Sequence, residues 1–138
     1  MICQLCDAIN EDYRIIKKTK YSFVVICKWP LKEGHILIMP KRHVTQNNFS
    51  QLSPEEVYDL FVLVEEMQFS MNEFSSEEVI LFKNSGKHSS EIHFHFHLLP
   101  SKGPLRGLFS KYENIPYKVD ISKEDYSLMQ KKILKFMK

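Results

Sequence analysis

The sequence predicts an α+β domain: an antiparallel sheet of about five strands, one long helix packed across it, and a further helix at the C-terminus. Three observations carry that expectation. Short runs rich in β-branched and aromatic residues recur at 13–18, 21–27, 35–39 and 78–83, separated by turn residues. A capped amphipathic stretch over 53–74 is long enough for about six helical turns. Residues 92–100, Ile-His-Phe-His-Phe-His-Leu-Leu-Pro, alternate with the period of a strand.

Taken in order, residues 1–12 carry the pair Cys3 and Cys6 and little else. Tyr13–Lys18 and Tyr21–Cys27 read as two strands joined by Thr19-Lys20. Trp29 to Gly34 is a connection punctuated by Pro30 and Gly34. His35–Met39 is a third strand stopped by Pro40, with His35, Leu37 and Met39 on one face. Ser53-Pro54-Glu55-Glu56 starts the long helix: Ser53 is the N-cap, Pro54 opens the first turn, and Glu56 closes a capping box. Val57, Leu60, Phe61, Val64 and Met67 recur at spacings of three and four, the stripe expected to pack on the sheet. Met67 and Met71 read as core. Glu78–Lys83 is a fourth strand, followed by a small, polar turn, Asn84 to Ser90, whose amides could face an anion. Residues 101–119 are broken up by Gly103-Pro104, Gly107 and Pro116 and read as irregular. Ser122 caps a last helix, with Asp125 at the box position and Lys131, Lys132, Lys135 and Lys138 suiting its C-terminus.

At 138 residues the chain is read as one domain, with 1–100 carrying the motifs and 101–138 forming a C-terminal extension with its helix. Apolar residues at 43% and charged residues at 26% exclude a disordered chain. A net charge of +2 gives no electrostatic case for nucleic acid, so no nucleic-acid partner is expected. No apolar run approaches the roughly 18 residues of a membrane span, so no membrane partner is expected either. The N-terminus lacks a basic segment and a long apolar core, which points to the cytoplasm. In that compartment Cys3 and Cys6 read as two metal ligands, a redox pair or two ordinary thiols. Two ligands are half of a structural zinc site, so the others would have to be histidines.

The chemistry centres on 93–97. His93, His95 and His97 share one face of the predicted strand, and Phe94, Phe96 and Leu98 the other. Imidazole titrates near pH ~6.5, so at neutral pH it can serve as nucleophile, acid, base or ligand. A neutral imidazole aimed at phosphorus, with its second nitrogen held by an acceptor, can divide one displacement into two easier ones.

His93-Phe94-His95-Phe96-His97-Leu98-Leu99 resembles the signature of the histidine-triad (HIT) family. Gly34 to His43 resembles that family's second recurring segment, and Asn84-Ser85-Gly86 its turn before the triad. The likeness runs from about Cys3 to Pro100, and the N-terminal cysteines suggest the bacterial zinc-containing type related to Hint-like nucleotide hydrolases. The resemblance implies a HIT-like fold over 1–138 and a nucleotide hydrolase or nucleotidyl transferase. Such enzymes act at the α-phosphate of a purine nucleotide derivative, a nucleoside phosphoramidate or a dinucleoside polyphosphate. It implies His95 as nucleophile, forming a nucleotidyl-histidine, with His97 on the phosphate oxygens or leaving group and His35 in the same hydrogen-bonded cluster. Asn84, Ser89 and Ser90 fall at phosphate-site positions, Ser89 standing where relatives carry glutamine. The acidic residue that often holds the ribose is not evident, its region being Cys27, Lys28 and Trp29. The resemblance further implies a structural zinc on Cys3, Cys6, His43 and His93, and a homodimer. The alternative is a nucleotide-binding HIT protein with little turnover.

Overall fold

The structure is a computed structural model describing residues 3–86 and 91–137. Its elements are α1 (Gln4–Asp7), β1 (Ile15–Lys18), β2 (Ser22–Ile26), β3 (Ile36–Pro40), α2 (Pro54–Phe74), β4 (Glu78–Phe82), β5 (Phe96–Ser101), α3 (Leu105–Glu113) and α4 (Lys123–Leu134). Two short 3-10 turns, Ala8–Asn10 and Phe49–Gln51, link them. The five strands form one sheet in the order β1-β2-β3-β5-β4, every neighbouring pair antiparallel.

Alternation in β5 divides the sheet into two unlike faces. Phe96 lies opposite Ile38, and Leu98 opposite Ile36. These side chains meet α2 in a core with Val24, Leu60, Leu63, Val64, Met67 and Met71. His97 lies opposite Leu37 on β3 and Phe82 on β4, which puts it on the other face. There Leu37 packs with Phe23, Val25 and Met39 under Leu5 and Ala8 of the N-terminal segment. The long helix thus covers the phenylalanine side, and the N-terminal segment packs on the histidine side.

Helix α2 starts as its sequence dictates. Ser53 Oγ accepts from Glu56 N–H at 3.2 Å, and Glu56 Oε1 accepts from Ser53 N–H at 3.0 Å. Glu56 also takes Arg42 Nη2 at 2.8 Å, tying the end of β3 to the helix and holding its carboxyl below the usual range. Within the expected stripe Leu60, Val64 and Met67 are buried, but Val57 and Phe61 are exposed, and Leu63 is buried in their stead. Two further expectations change. The ladder of β5 begins only at Phe96, and His93 instead forms an isolated bridge with Thr45. The 101–119 region is not irregular throughout, since α3 occupies Leu105–Glu113 and ends on Asn114 in the left-handed region at φ 53°.

The chain forms two compact units, Met1–Gly103 and Pro104–Lys138. In the second, Ser122 Oγ caps α4 by accepting from Asp125 N–H at 3.1 Å. In the first, Gly34 sits just before His35 at φ +91°, and a Cβ there would lie 3.1 Å from Pro100 and 3.2 Å from Met71. A Gly34→Ala substitution should therefore cost about 2 kcal/mol, from backbone strain and crowding together. Thermal denaturation checks this: the melting temperature should drop by several degrees, and an unchanged value would contradict it.

Candidate functional site: a histidine relay beside a cysteine–histidine cluster

The segment after β3 runs alongside the segment before β5. Phe94 N–H donates to Val44 C=O at 2.7 Å, and Gln46 N–H to Ile92 C=O at 2.7 Å. This pairing carries His43 and Gln46 to His93 and His95, about fifty residues away in sequence. It also preserves the alternation outside the regular ladder. His93 and His95 are buried on the same side of the chain as His97, while Phe94 joins the helix-side core.

Three imidazoles form one group whose tautomers follow from their backbone hydrogen bonds. Leu31 N–H donates to His35 Nδ1 at 3.1 Å, so that nitrogen is an acceptor. The neutral His35 ring then carries its proton on Nε2, which donates to His97 Nδ1 at 2.9 Å. His97 in turn keeps its proton on Nε2. Its ring stacks on Phe82 at 4.5 Å between centroids, which fixes the plane. His95 is held differently: Nδ1 lies 2.7 Å from His93 C=O, which can only accept. His95 therefore carries its proton on Nδ1, and Nε2 has a bare lone pair.

Burial lowers the basicity of all four rings. It depresses His35 and His95, and takes His97 to about 4, with the neighbouring imidazoles adding to the effect. Burial likewise takes His93 to about 4. At neutral pH the rings are uncharged, as the tautomer relay requires. His95 and His97 line a cavity of about 270 Å³. Its walls include Leu5, Leu37 and Trp29, with Glu11 and Arg14 among the polar residues. Arg14 is fixed there by Glu11 at 2.7 Å and by Ile26 C=O at 2.6 Å.

The second cluster adjoins the first through His93. Ligating atoms of Cys3, Cys6, His43 and His93 all lie within 4.8 Å of one another. Cys6 Sγ is 3.3 Å from both His43 Nδ1 and His93 Nδ1, and Cys3 Sγ is 3.7 Å from His93 Nδ1. A tetrahedral ion with bonds of about 2.0–2.3 Å has edges of about 3.3–3.8 Å, so these spacings match a coordination shell. His93 Nε2 donates to Pro40 C=O at 3.0 Å, which leaves Nδ1 unprotonated and aimed at the sulfurs. Burial, together with the hydrogen bond to Cys3, pushes the Cys6 thiol up to about 11. A thiol raised this way keeps its proton unless a cation is present. The four residues could thus hold a metal ion such as zinc.

The expected residues fall into place unevenly. His35, His95 and His97 come together, as do Cys3, Cys6, His43 and His93. Asn84 follows β4 and folds on itself, its Oδ1 accepting from Gly86 N–H at 3.2 Å. Ser89 and Ser90 lie outside the described residues. Sequence reasoning missed Gln46, buried against His95, and Lys83, which donates to Gln46 C=O at 2.9 Å and Ser85 Oγ at 2.8 Å. It also missed the Glu11–Arg14 pair. No local pattern marks Gln46 and Lys83, because the pairing of distant segments brings them in, while Glu11 and Arg14 are only three residues apart and it is Ile26 C=O that anchors Arg14 from afar.

No helix among the described residues is long and apolar enough to cross a membrane. The chain is 29% identical over 110 residues to the adenosine 5'-monophosphoramidase of Saccharomyces cerevisiae, covering 77% of this chain and 66% of the yeast protein. It thus spans just under two thirds of that relative's length. It is 29% identical over 87 residues to the bis(5'-adenosyl)-triphosphatase of Dictyostelium discoideum, covering 61% of this chain and 57% of that protein. Among solved structures, a HIT family member from Bacillus subtilis superposes with a TM-score of 0.72 at 18% identity, covering 100% of this chain and 99% of that one. A HIT family protein from Bacillus anthracis gives 0.66 at 19%, covering 99% and 97%. These two likenesses establish the α+β fold. A sequence model of the HIT domain matches residues 9–103, a span that contains His35, His43, His93, His95 and His97, and on that match the chain belongs to the HIT domain family.

Proposed function

We propose that the protein is a nucleotide hydrolase or nucleotidyl transferase acting at the α-phosphate of a purine nucleotide derivative, a nucleoside phosphoramidate or a dinucleoside polyphosphate. The observation that carries this reading is His95: one ring nitrogen is held by a carbonyl, the other is bare, and the ring lines a cavity. The names of the yeast and Dictyostelium relatives supply the substrate class.

In this reading His95 Nε2 attacks the α-phosphorus and forms a P–N bond as the bond to the leaving group breaks. His97 Nε2–H donates to a phosphate oxygen or to the departing group, and His35 holds His97 in the tautomer that can do so. Water then attacks the same phosphorus and gives up a proton that balances the one taken by the departing group, the P–N bond breaks, and its electron pair returns to Nε2. Asn84, Ser89 and Ser90 are assigned to the phosphate site, and the fixed Glu11–Arg14 pair lines the cavity wall. Incubation with an α-³²P-labelled adenosine phosphoramidate, followed by rapid denaturation, tests the scheme. Label should remain on the protein in an acid-labile, base-stable bond. Tight nucleotide binding with neither label nor turnover would replace this reading with the alternative, a nucleotide-binding HIT protein with little turnover.

Two further assignments belong to the same proposal. Cys3, Cys6, His43 and His93 hold a structural zinc, whose ligand set is complete and leaves no open position. The protein acts as a homodimer, with the exposed face of α2 at the contact. That face carries Tyr58, Phe61, Val62 and Phe69, each at least 47% exposed. Analytical ultracentrifugation should give twice the 16.4 kDa chain mass, and a 16.4 kDa species at micromolar concentration would remove the dimer.

A further inference from the structure

We propose that Gln46 is a positioning residue for His95: its side-chain carbonyl shares the Nδ1 proton with the His93 main-chain carbonyl and thereby keeps the Nε2 lone pair available. The catalytic half of this inference rests on the function proposed above; the tautomer half does not.

Gln46 is 4% exposed, and its amide lies 2.9 Å from His95 Nδ1. His93 C=O lies 2.7 Å from the same nitrogen. Because that carbonyl only accepts, Nδ1 bears a proton, and an amide NH₂ facing it would set donor against donor. Gln46 Oε1, meanwhile, is buried without a hydrogen-bond partner among the described residues. The two ends of an amide are nearly alike in shape, so the hydrogen-bond network decides which one faces the ring. With Oε1 turned toward His95 the donor clash disappears and the carbonyl oxygen gains its partner. The ring proton is then shared between two acceptors.

The backbone of Gln46 is placed for this task. Its N–H is bound to Ile92 C=O, two residues before Phe94, and its C=O receives Lys83 Nζ. A side chain clamped at both main-chain groups reaches His95 with little freedom left to lose. The His93 carbonyl alone favours the Nδ1 proton but leaves a population of the ring with its proton on Nε2, which removes the nucleophile. A second acceptor on the same side disfavours that tautomer.

The test uses the full-length protein and two variants. Gln46→Met keeps the length and apolar stem but offers no acceptor. Gln46→Asn keeps the amide but withdraws it by one methylene. In the wild type, two-bond ¹H–¹⁵N correlation spectra should show His95 as one tautomer protonated on Nδ1. In either variant a second, Nε2-protonated form should appear. Turnover of an adenosine phosphoramidate should fall about fivefold to tenfold in kcat, with KM within twofold, as expected for one neutral hydrogen bond acting on orientation. A purely structural role would lower the melting temperature and leave the tautomer unchanged. A single Nδ1-protonated form in both variants, or kcat within twofold of wild type alongside a changed tautomer, overturns the proposal. If Gln46→Met does not fold, Gln46→Asn decides it on the same two readouts. Should the wild type show no turnover at all, the function reading fails and the spectra alone judge Gln46.

Discussion

Replacing His95 with alanine should lower turnover of an adenosine phosphoramidate by at least about 10³-fold, because in the proposed scheme it removes the attacking atom itself. Nucleotide affinity should stay within a few fold. The cavity walls that include Leu5, Leu37, Trp29 and the fixed Arg14 are untouched by the change. The side chain is buried, but it contributes one hydrogen bond to His93 C=O and one to Gln46 rather than a large apolar surface. Stability should therefore fall by only about 1–2 kcal/mol, so loss of activity and loss of fold separate cleanly. His35→Ala added to His95→Ala should cost little more, since in the proposed scheme His35 acts by orienting His97 within the same catalytic group. Stopped assays with the single and double variants check both points. Retention of more than a tenth of wild-type turnover by His95→Ala would show that another group attacks phosphorus.

How far the sequence anticipated this arrangement depends on the range of the forces involved. The capping box at Ser53 and Glu56 is local, written within four residues, and the helix starts where it says. The alternation of 93–97 is also local, and the two faces of the sheet follow it even where no regular ladder exists. The α2 stripe was less legible. Val57 and Phe61 have the right spacing but lie outside the core, because the helix is rotated to bury Leu63. Residues 101–119 read as irregular because Gly103, Pro104, Gly107 and Pro116 are breakers. Yet Pro104 is the N-cap of α3 and Gly107 is tolerated within it. The site divides in the same way. The histidines carried their own signal, whereas Gln46, Lys83 and Arg14 owe their positions to pairings across the sheet and carried none.

Removing the proposed zinc should have the second large effect. Purified protein should contain close to one zinc per chain, and chelation should lower stability by at least about 3 kcal/mol, on the order of 10 °C in melting temperature. The reasoning starts from α1. Four residues cannot sustain a helix by propensity alone. Among the described residues of the N-terminal segment, only Leu5 and Ala8 are buried against the sheet. Cys3 caps that turn and Cys6 lies within it, and a shared ion would tie both to His43 and His93 on the sheet's own segments. Metal affinity should weaken as pH falls. Cys6, whose thiol stands at about 11, binds only after losing its proton, and each proton released makes affinity about tenfold weaker per unit of pH. Calorimetry in buffers of different ionisation enthalpy should register that release. Cys6→Ser should abolish binding, whereas Cys27→Ser, outside the cluster, should leave it intact. The same loss should reach the histidine relay, since His93 offers Nδ1 to the cluster and its carbonyl to His95. Metal-free protein isolated with unchanged melting behaviour, and indifferent to added zinc, would reduce the four residues to a chance constellation.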